Sequence, residues 1–143
     1  MNILLDENVP RPLVAMVKKL LPEHRVDHVA EIGWSGKPDV ALLNDASHRY
    51  ETFITNDSSQ YMDPKECQAI KASRLHHVTY KMPKDGLDGL ALAAGAITAG
   101  VRGLIERLES APSQRIATIV GIGTGERFRV VDPATNPPSN YWS

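Results

Sequence analysis

Two acidic residues of this chain come directly after short apolar segments, where a carboxylate can take part in chemistry. Asp6 follows Asn2-Ile3-Leu4-Leu5, and Asp57 follows Thr52-Phe53-Ile54-Thr55-Asn56. A third acid, Asp39, opens a helical pattern between the two. Carboxylates held close together repel one another, so at least one of them takes up a proton unless a cation neutralises the group. The three acids therefore form a candidate metal site.

Magnesium or manganese suits these acids better than zinc, because the donors are oxygen atoms and no nearby His or Cys set has zinc spacing. A magnesium ion held by carboxylates keeps several water molecules, which can contact phosphate oxygens. One such water can be activated as the nucleophile of phosphodiester hydrolysis, while the metal stabilises charge on the leaving oxygen. The predicted chemistry is metal-assisted hydrolysis of a phosphodiester.

The neighbours of these acids add weaker candidates. Glu7 points away from the preceding acid if the strand continues through both, so it is an auxiliary metal ligand. Asn8 and Asn56 are candidates for contacts to the substrate or to the metal ligands.

Each main acid also has a purely structural interpretation. Asp6 can cap the helix that follows, Asp57 can form an Asx turn, and Asp39 can favour a first helical turn through the helix dipole. From the residues alone, both interpretations stay open.

The elements that would position the acids alternate between strand and helix. Apolar periodicity predicts strands over residues 2–5, 25–29 and 52–55, separated by helices over 10–21 and 38–49. This alternation is typical of an α/β protein with a mainly parallel sheet. Ligands of such sheets bind beyond the carboxyl ends of the strands, so the acids are expected to share one edge.

The later sequence completes a single domain over residues 1–132. It predicts a loop over 58–63, a helix over 64–72, a strand over 75–80 and a helix from about 87 to 109, and then strands over 116–122 and 127–131 that form a hairpin around 123–126. The first half of the long helix is apolar almost all round and needs cover on more than one side, which makes a homodimer an expectation. Residues 133–143 are expected to be an irregular tail.

Composition sets further bounds. The 143 residues have a formal charge of −1, so nucleic-acid binding would require a local basic surface or metal ions. The single cysteine excludes a disulfide framework within one chain and a cysteine zinc cluster. No basic segment followed by an apolar signal core is seen, and no apolar stretch reaches the roughly 18 to 20 residues that span a bilayer. A cytoplasmic protein with no membrane association is expected.

Several other residues support weaker predictions about binding or structure. The glycine-rich segment 121–126 fits neither a Rossmann nor a P-loop pattern, and it is expected to be a hairpin turn. His76 and His77 lie on one strand and so face opposite sides, which argues against joint metal binding. Trp34 and Trp142 are candidates for base stacking. Five arginines are either a solvated face or an RNA track: Arg102, Arg107, Arg115, Arg127 and Arg129.

The chain as far as residue 80 resembles the PIN-like nucleases, and most closely the small toxins of VapBC-type toxin-antitoxin modules. The likeness rests on Leu4–Pro10 before an amphipathic helix, on His28-Val29, on Pro38-Asp39 before an apolar helix, and on Phe53–Asp57. It implies a three-layer α/β/α fold, magnesium or manganese, and an endoribonuclease that a cognate antitoxin protein restrains.

By position, the resemblance makes Asp6 and Asp57 metal ligands and Asp39 a further acid of the cluster. The family pattern usually has four acids, and the fourth position here falls to Glu7 or Asp63, or is lost. Two alternatives therefore stay open. One is a catalytically weak or inactive binding module that docks a partner through the apolar helix, and the other is a DNA nuclease of the same fold.

Overall fold

The computed structural model describes residues 1–123 and 125–143 of the chain. In these residues strands and helices alternate as far as β5, and β6 follows β5 directly: β1 Asn2–Leu5, α1 Arg11–Leu20, β2 Arg25–His28, α2 Asp39–Ala46, β3 Thr52–Thr55, α3 Pro64–Ser73, β4 His76–Tyr80, α4 Gly86–Glu109, β5 Ile116–Ile119 and β6 Phe128–Val131. Short 3-10 helices cover Ser59–Met62 and Asn140–Trp142.

The strands form one sheet in the order β2-β1-β3-β4-β5-β6, in which only β6 runs antiparallel. The chain adds β2 on one side of β1 and then continues on the other side with β3. The strand order therefore reverses between β1 and β3, and a crevice opens beyond the carboxyl ends of these two strands. The mainly parallel sheet and the antiparallel β5–β6 pair confirm the predicted architecture.

Helices cover both faces of the sheet and make three layers. Helix α1 packs against α4 on one face, and α2 packs against α3 on the other. Alternate residues of each strand supply the two cores, because successive strand side chains point to opposite faces. Ile3 and Leu5 belong to the α1/α4 core, and Leu4 belongs to the α2/α3 core. All three are fully buried, so β1 contributes side chains to the cores on both faces of the sheet.

Glycines on α4 let the β5–β6 hairpin approach the helix closely. A Cβ atom at Gly100 would lie 3.2 Å from the Arg127 carbonyl oxygen, and one at Gly103 would lie 3.2 Å from the Phe128 ring. Larger residues at these positions would push the hairpin away from the helix. The hairpin therefore covers one side of the helix.

Two predicted element ends are wrong in detail, and one predicted feature of α4 is left without cover inside the chain. Helix α2 ends at Ala46 and not near residue 49, and β5 ends at Ile119 and not at residue 122. The apolar first half of α4 is not fully covered, since Leu87 is 82% exposed and Leu92 is 53% exposed. Thr124, in the predicted hairpin turn, lies outside the described residues.

By length and hydropathy α4 could cross a membrane, contrary to the shorter apolar stretch expected from the sequence. Buried core helices of soluble proteins share this composition, and 44% of the most apolar window is buried within the fold. The packing of α4 on α1, β4 and β5 accounts for its apolar side.

Candidate active site

The three acids singled out in the sequence gather at the carboxyl edge of the sheet. Asp6 directly follows β1, Asp57 lies two residues beyond the end of β3, and Asp39 is the first residue of α2. The charges of Asp39 and Asp57 both raise the pKa of Asp6, which places the three carboxylates within electrostatic range of one another. The parallel arrangement of β1 and β3 brings together residues that are about fifty positions apart in sequence.

Asp6 is the most enclosed of these acids, with 7% of its surface exposed. Its Oδ2 accepts a hydrogen bond from Thr55 Oγ1 at 2.7 Å, and its Oδ1 accepts one from the Glu7 amide at 2.7 Å. Burial raises the pKa of Asp6, the bonds from Thr55 and Glu7 oppose that rise, and the neighbouring acids add to it. The carboxylate is therefore fixed in position but not neutralised by a cationic side chain.

Thr55 is the polar centre that joins the two strand ends. Besides donating to Asp6, its hydroxyl oxygen accepts from Asn8 Nδ2 at 3.0 Å and from the Asp57 amide at 3.1 Å. Its side chain is fully buried. One hydroxyl thus sets the relative positions of Asp6 and the turn that carries Asp57.

Asp57 forms the Asx turn that its sequence context suggested. Its Oδ1 accepts hydrogen bonds from the amide and the hydroxyl of Ser59, and the amide bond is 2.9 Å long. Across the described residues, Oδ2 has no hydrogen bond. The structural interpretation of this residue and the metal-ligand prediction are therefore compatible, because the turn uses one oxygen only.

A fourth acid, which the sequence reasoning missed, comes from the first turn of α3. The carboxyl group of Glu66 lies close to that of Asp39. This contact raises the pKa of Glu66 to about 7, and burial and the charges of Asp39, Asp63 and Asp57 contribute further. The sequence feature that could have identified Glu66 is its position in the first turn of a helix that directly follows the loop carrying Asp57.

The two residues expected as fourth acid are engaged elsewhere. Asp63 caps α3, since its Oδ1 accepts from the amides of Lys65 at 2.8 Å and Glu66 at 3.1 Å. Glu7 is exposed, and its Oε2 accepts from the Gly36 amide at 3.2 Å. A metal-binding role for Glu7 stays a prediction, but its carboxylate is directed to the loop after β2.

Asn8 and Asn56 bind each other and so tie the end of β3 to the segment after β1. Asn56 Nδ2 donates to the Asn8 carbonyl at 3.0 Å, and Asn8 Oδ1 accepts from the Asn56 amide at 3.2 Å. A contact from either residue to substrate stays a prediction. Their observed role is to hold the two strand ends in register.

His77 lies within the protein behind the acids and is fully buried. Its Nε2 is 2.9 Å from Gln60 Oε1, and its Nδ1 is hydrogen-bonded to the Tyr61 hydroxyl. Burial lowers the pKa of His77 to about 3, although the charge of Asp57 opposes this effect. A neutral imidazole supports the 3-10 helix after β3, as the predicted structural role requires.

Two of the five arginines considered from the sequence lie at opposite ends of the sheet, and both tryptophans are at least partly buried. Arg115 precedes β5 at the amino edge of the sheet and lies 3.6 Å from Asp132, whereas Arg127 lies at the carboxyl edge beside the end of β5. Trp142 is buried, which corrects the expectation that it is available for stacking. Trp34 is partly buried and packs edge-on against Tyr50.

A cavity of about 1080 Å³ lies at the opposite, amino edge of the sheet, and none of the four acids lines it. It is lined by the starts of β4 and β5 and by the C-terminal segment, including His76 and Trp142. This cavity and the four acids therefore lie at opposite ends of the strands.

The four acids fit a hard divalent metal in donor type and in charge. Across the described chain, none of Asp6, Asp39, Asp57 and Glu66 has an ion pair with Lys, Arg or His. Within residues 1–123 and 125–143, however, no three His, Cys, Asp or Glu side chains converge tightly enough to hold an ion as they stand. A shared ion would require side-chain rotations that draw the carboxylates together.

Comparison with known proteins identifies one family. A family model described as a PIN like domain matches residues 1–81, more than half of the chain. No curated protein and no solved structure matches significantly. PIN-like domains are typically nucleases, and PIN nucleases generally use divalent metals. The matched region contains all four acids.

Proposed function

This chain belongs to the PIN-like domain family, and we propose that it is a magnesium- or manganese-dependent endoribonuclease. The observation that carries the proposal is the gathering of four acids from four separate elements at the crevice where strand order reverses. Asp6, Asp39, Asp57 and Glu66 would hold the metal. A divalent metal bound there would supply charge neutralisation and a water of lowered pKa.

The protein's own groups then have distinct tasks. Thr55 holds Asp6 through a hydrogen bond to Oδ2, and the Asx turn uses Oδ1 of Asp57. Glu66, whose pKa is raised to about 7 by the neighbouring acids and by burial in the metal-free protein, would release its proton when a cation binds and would then serve as a ligand.

The test is cleavage of a labelled single-stranded RNA in Mg²⁺ by the wild-type chain and by Asp6→Asn and Asp57→Asn variants. Each variant is expected to lose at least about 100-fold in rate, because a lost metal ligand removes several kcal/mol of transition-state stabilisation. Glu23→Gln, which removes one exposed negative charge at the other edge of the sheet, is the matched control. Wild-type rates in the Asp6 and Asp57 variants would refute the site, and cleavage of DNA alone would refute the RNA assignment.

We also propose that the protein is the toxin of a type II toxin-antitoxin system, acts in the cytoplasm and is restrained by a cognate antitoxin. The support is the resemblance of the first 80 residues, together with the exposed apolar side chains of Leu87 and Leu92 on α4. Induced expression of the wild-type chain is expected to arrest growth, and Asp6→Asn is expected to relieve the arrest. Equal arrest by both chains would contradict a nuclease toxin. Light scattering would test the expected homodimer.

A second candidate function, a non-catalytic PIN-like binding module, is favoured by one observation. In the described part of the chain the carboxylates do not form a compact ligand sphere. Calorimetric titration with Mg²⁺ and Mn²⁺ separates the two functions. Heat of binding that disappears in Asp6→Asn supports the nuclease, and the absence of binding in the millimolar range supports the binding module.

A further inference from the structure

Residues 139–143, which we call the C-terminal clamp, pack against the two segments that carry Asp57 and Glu66. The clamp contains the short 3-10 helix Asn140–Trp142, which contacts both α3 and the 3-10 helix Ser59–Met62. Asp57 lies two residues before the second of these elements, and Glu66 lies in the first turn of α3. The clamp therefore touches both elements that bring acids to the crevice from the α3 side.

Trp142 anchors the clamp in the core. The residue is 5% exposed and belongs to the α2/α3 core together with Cys67 and Ile70 of α3. Tyr61, from the 3-10 helix after β3, packs against the same core. A buried aromatic side chain removes roughly 150 to 250 Å² from water and so contributes strongly to local packing. Loss of the indole would therefore withdraw support from α3 and from this 3-10 helix together.

Polar contacts fasten the clamp to α3 next to Glu66. Gln68 Nε2 donates a hydrogen bond to the Tyr141 carbonyl. Ser139 Oγ lies 3.5 Å from the buried Cys67 Sγ. These two contacts are made one and two residues after Glu66 along the helix. A shift of the clamp would therefore displace the start of α3 and, with it, the carboxyl group of Glu66.

The 3-10 helix Ser59–Met62 links the clamp to Asp57. Its first amide, that of Ser59, donates to Asp57 Oδ1 at 2.9 Å. Inside the protein the helix is held by His77, which is hydrogen-bonded to two of its side chains. The position of the Asp57 turn therefore depends both on this buried histidine and on the clamp.

We propose that the C-terminal clamp positions the Asp57 turn and the first turn of α3 so that Asp57 and Glu66 can bind one divalent metal ion, with Trp142 and Gln68 as its positioning residues. The inference rests on the proposed function for the metal only. The clamp lies outside residues 1–81, the region that the family model matches. By linkage, a clamp that strengthens metal binding is stabilised by the metal in return.

The first test is hydrogen exchange of the full-length, metal-free protein at the amides of Ser59 and Cys67. These amides donate to Asp57 Oδ1 and to the Asp63 carbonyl, each at 2.9 Å. Trp142→Ala is expected to accelerate exchange of both at least about tenfold, because their local opening is then no longer opposed by the packing of the clamp. Trp142→Phe keeps a buried ring and should restore most of the protection.

Two further variants separate positioning from general stability. Leu108→Ala is the matched control, because Leu108 is 1% exposed and lies in the α1/α4 core at the last turn of α4. It should lower overall stability without accelerating the two amides, which open locally. Gln68→Ala leaves the core intact and should accelerate them about threefold, as loss of one hydrogen bond would. Equal exchange in Trp142→Ala and Leu108→Ala would overturn the clamp, and if Trp142→Ala does not fold, unchanged exchange in Gln68→Ala would do so.

Calorimetric titration with Mn²⁺ tests the link between the clamp and the metal. Trp142→Ala is expected to weaken binding at least about fivefold, the low end of a typical coupling, whereas Leu108→Ala should not weaken it. Conversely, Mn²⁺ should slow exchange of the wild-type Trp142 amide, which donates to the Ser139 carbonyl at 3.2 Å. Equal Mn²⁺ affinity in wild type and Trp142→Ala would overturn the positioning role. A wild-type chain that binds no Mn²⁺ would refute the proposed function, and accelerated exchange in metal-free Trp142→Ala would still support the clamp.

Discussion

Replacing Thr55 with valine should loosen the candidate active site without altering any acid. The hydroxyl donates to Asp6 Oδ2 and accepts from Asn8 Nδ2 and from the Asp57 amide. Valine has nearly the same shape but can make none of these bonds. A bond to a charged acceptor contributes about 1.5 to 3 kcal/mol and a neutral one about 0.5 to 1.5 kcal/mol.

The expected loss in the free energy of unfolding is about 2 to 4 kcal/mol, because the Asp6 carboxylate oxygen and the Asp57 amide both lose their hydrogen-bond partner. Asn8 adds little to this loss, since it is exposed and its side chain can bind water instead. The Thr55 bond lowers the pKa of Asp6, so its loss should raise that pKa further and weaken magnesium binding near neutral pH.

Urea unfolding of wild type, Thr55→Val and Thr55→Ser measures the effect, since serine keeps the hydroxyl and is the matched control. RNA cleavage at several magnesium concentrations should show a higher requirement in the valine variant. If Thr55→Val is as stable as Thr55→Ser and needs no more magnesium, the hydroxyl does not position Asp6 and the reasoning is refuted.

Three further predictions concern the acids. Glu66→Gln should lower the cleavage rate about 100-fold or more and raise the magnesium requirement, whereas Asp63→Ala should mainly cost about 1 kcal/mol of stability as a lost helix cap. The pKa of Glu66 is about 7 in the folded protein and 4.5 ordinarily, so between these pH values the folded state binds more protons than the unfolded state. The contribution of Glu66 to the free energy of unfolding should therefore fall as pH rises from 4.5 to 7. Urea titrations without metal at several pH values check this. Added Mg²⁺ should raise the thermal midpoint more at pH 8 than at pH 5.5, because protons compete for the same carboxylates; equal shifts would contradict a site at this cluster.

The alternation of elements was predictable because the decisive signals are local. The strand before Asp6, the amphipathic helix after Pro10 and the compact strand at Thr52–Thr55 each follow from periodicity within a few residues. Element ends were less predictable. The hairpin strand β5 ends at Ile119, although the apolar pattern continues to Ile122, because pairing with β6 stops where Ile119 meets Phe128.

Exposure was the least predictable property. Trp142, in a tail expected to be irregular, is buried in the α2/α3 core, whereas Leu87 and Leu92 on the long apolar helix are exposed. Whether a side chain is covered depends on elements that are distant in sequence. Periodicity within one helix or one tail carries no information about them.

The sequence by itself determined the parallel α/β architecture and the positions of Asp6 and Asp57 after the first and third strands, whose carboxyl ends lie at one edge. The tertiary structure alone decided that Glu66 joins them while Asp63 caps a helix and Glu7 turns to the loop after β2. The physical reason is that the sequence sets which face of its own element a side chain occupies, whereas charge coupling and hydrogen bonding depend on distances that only the packed elements establish.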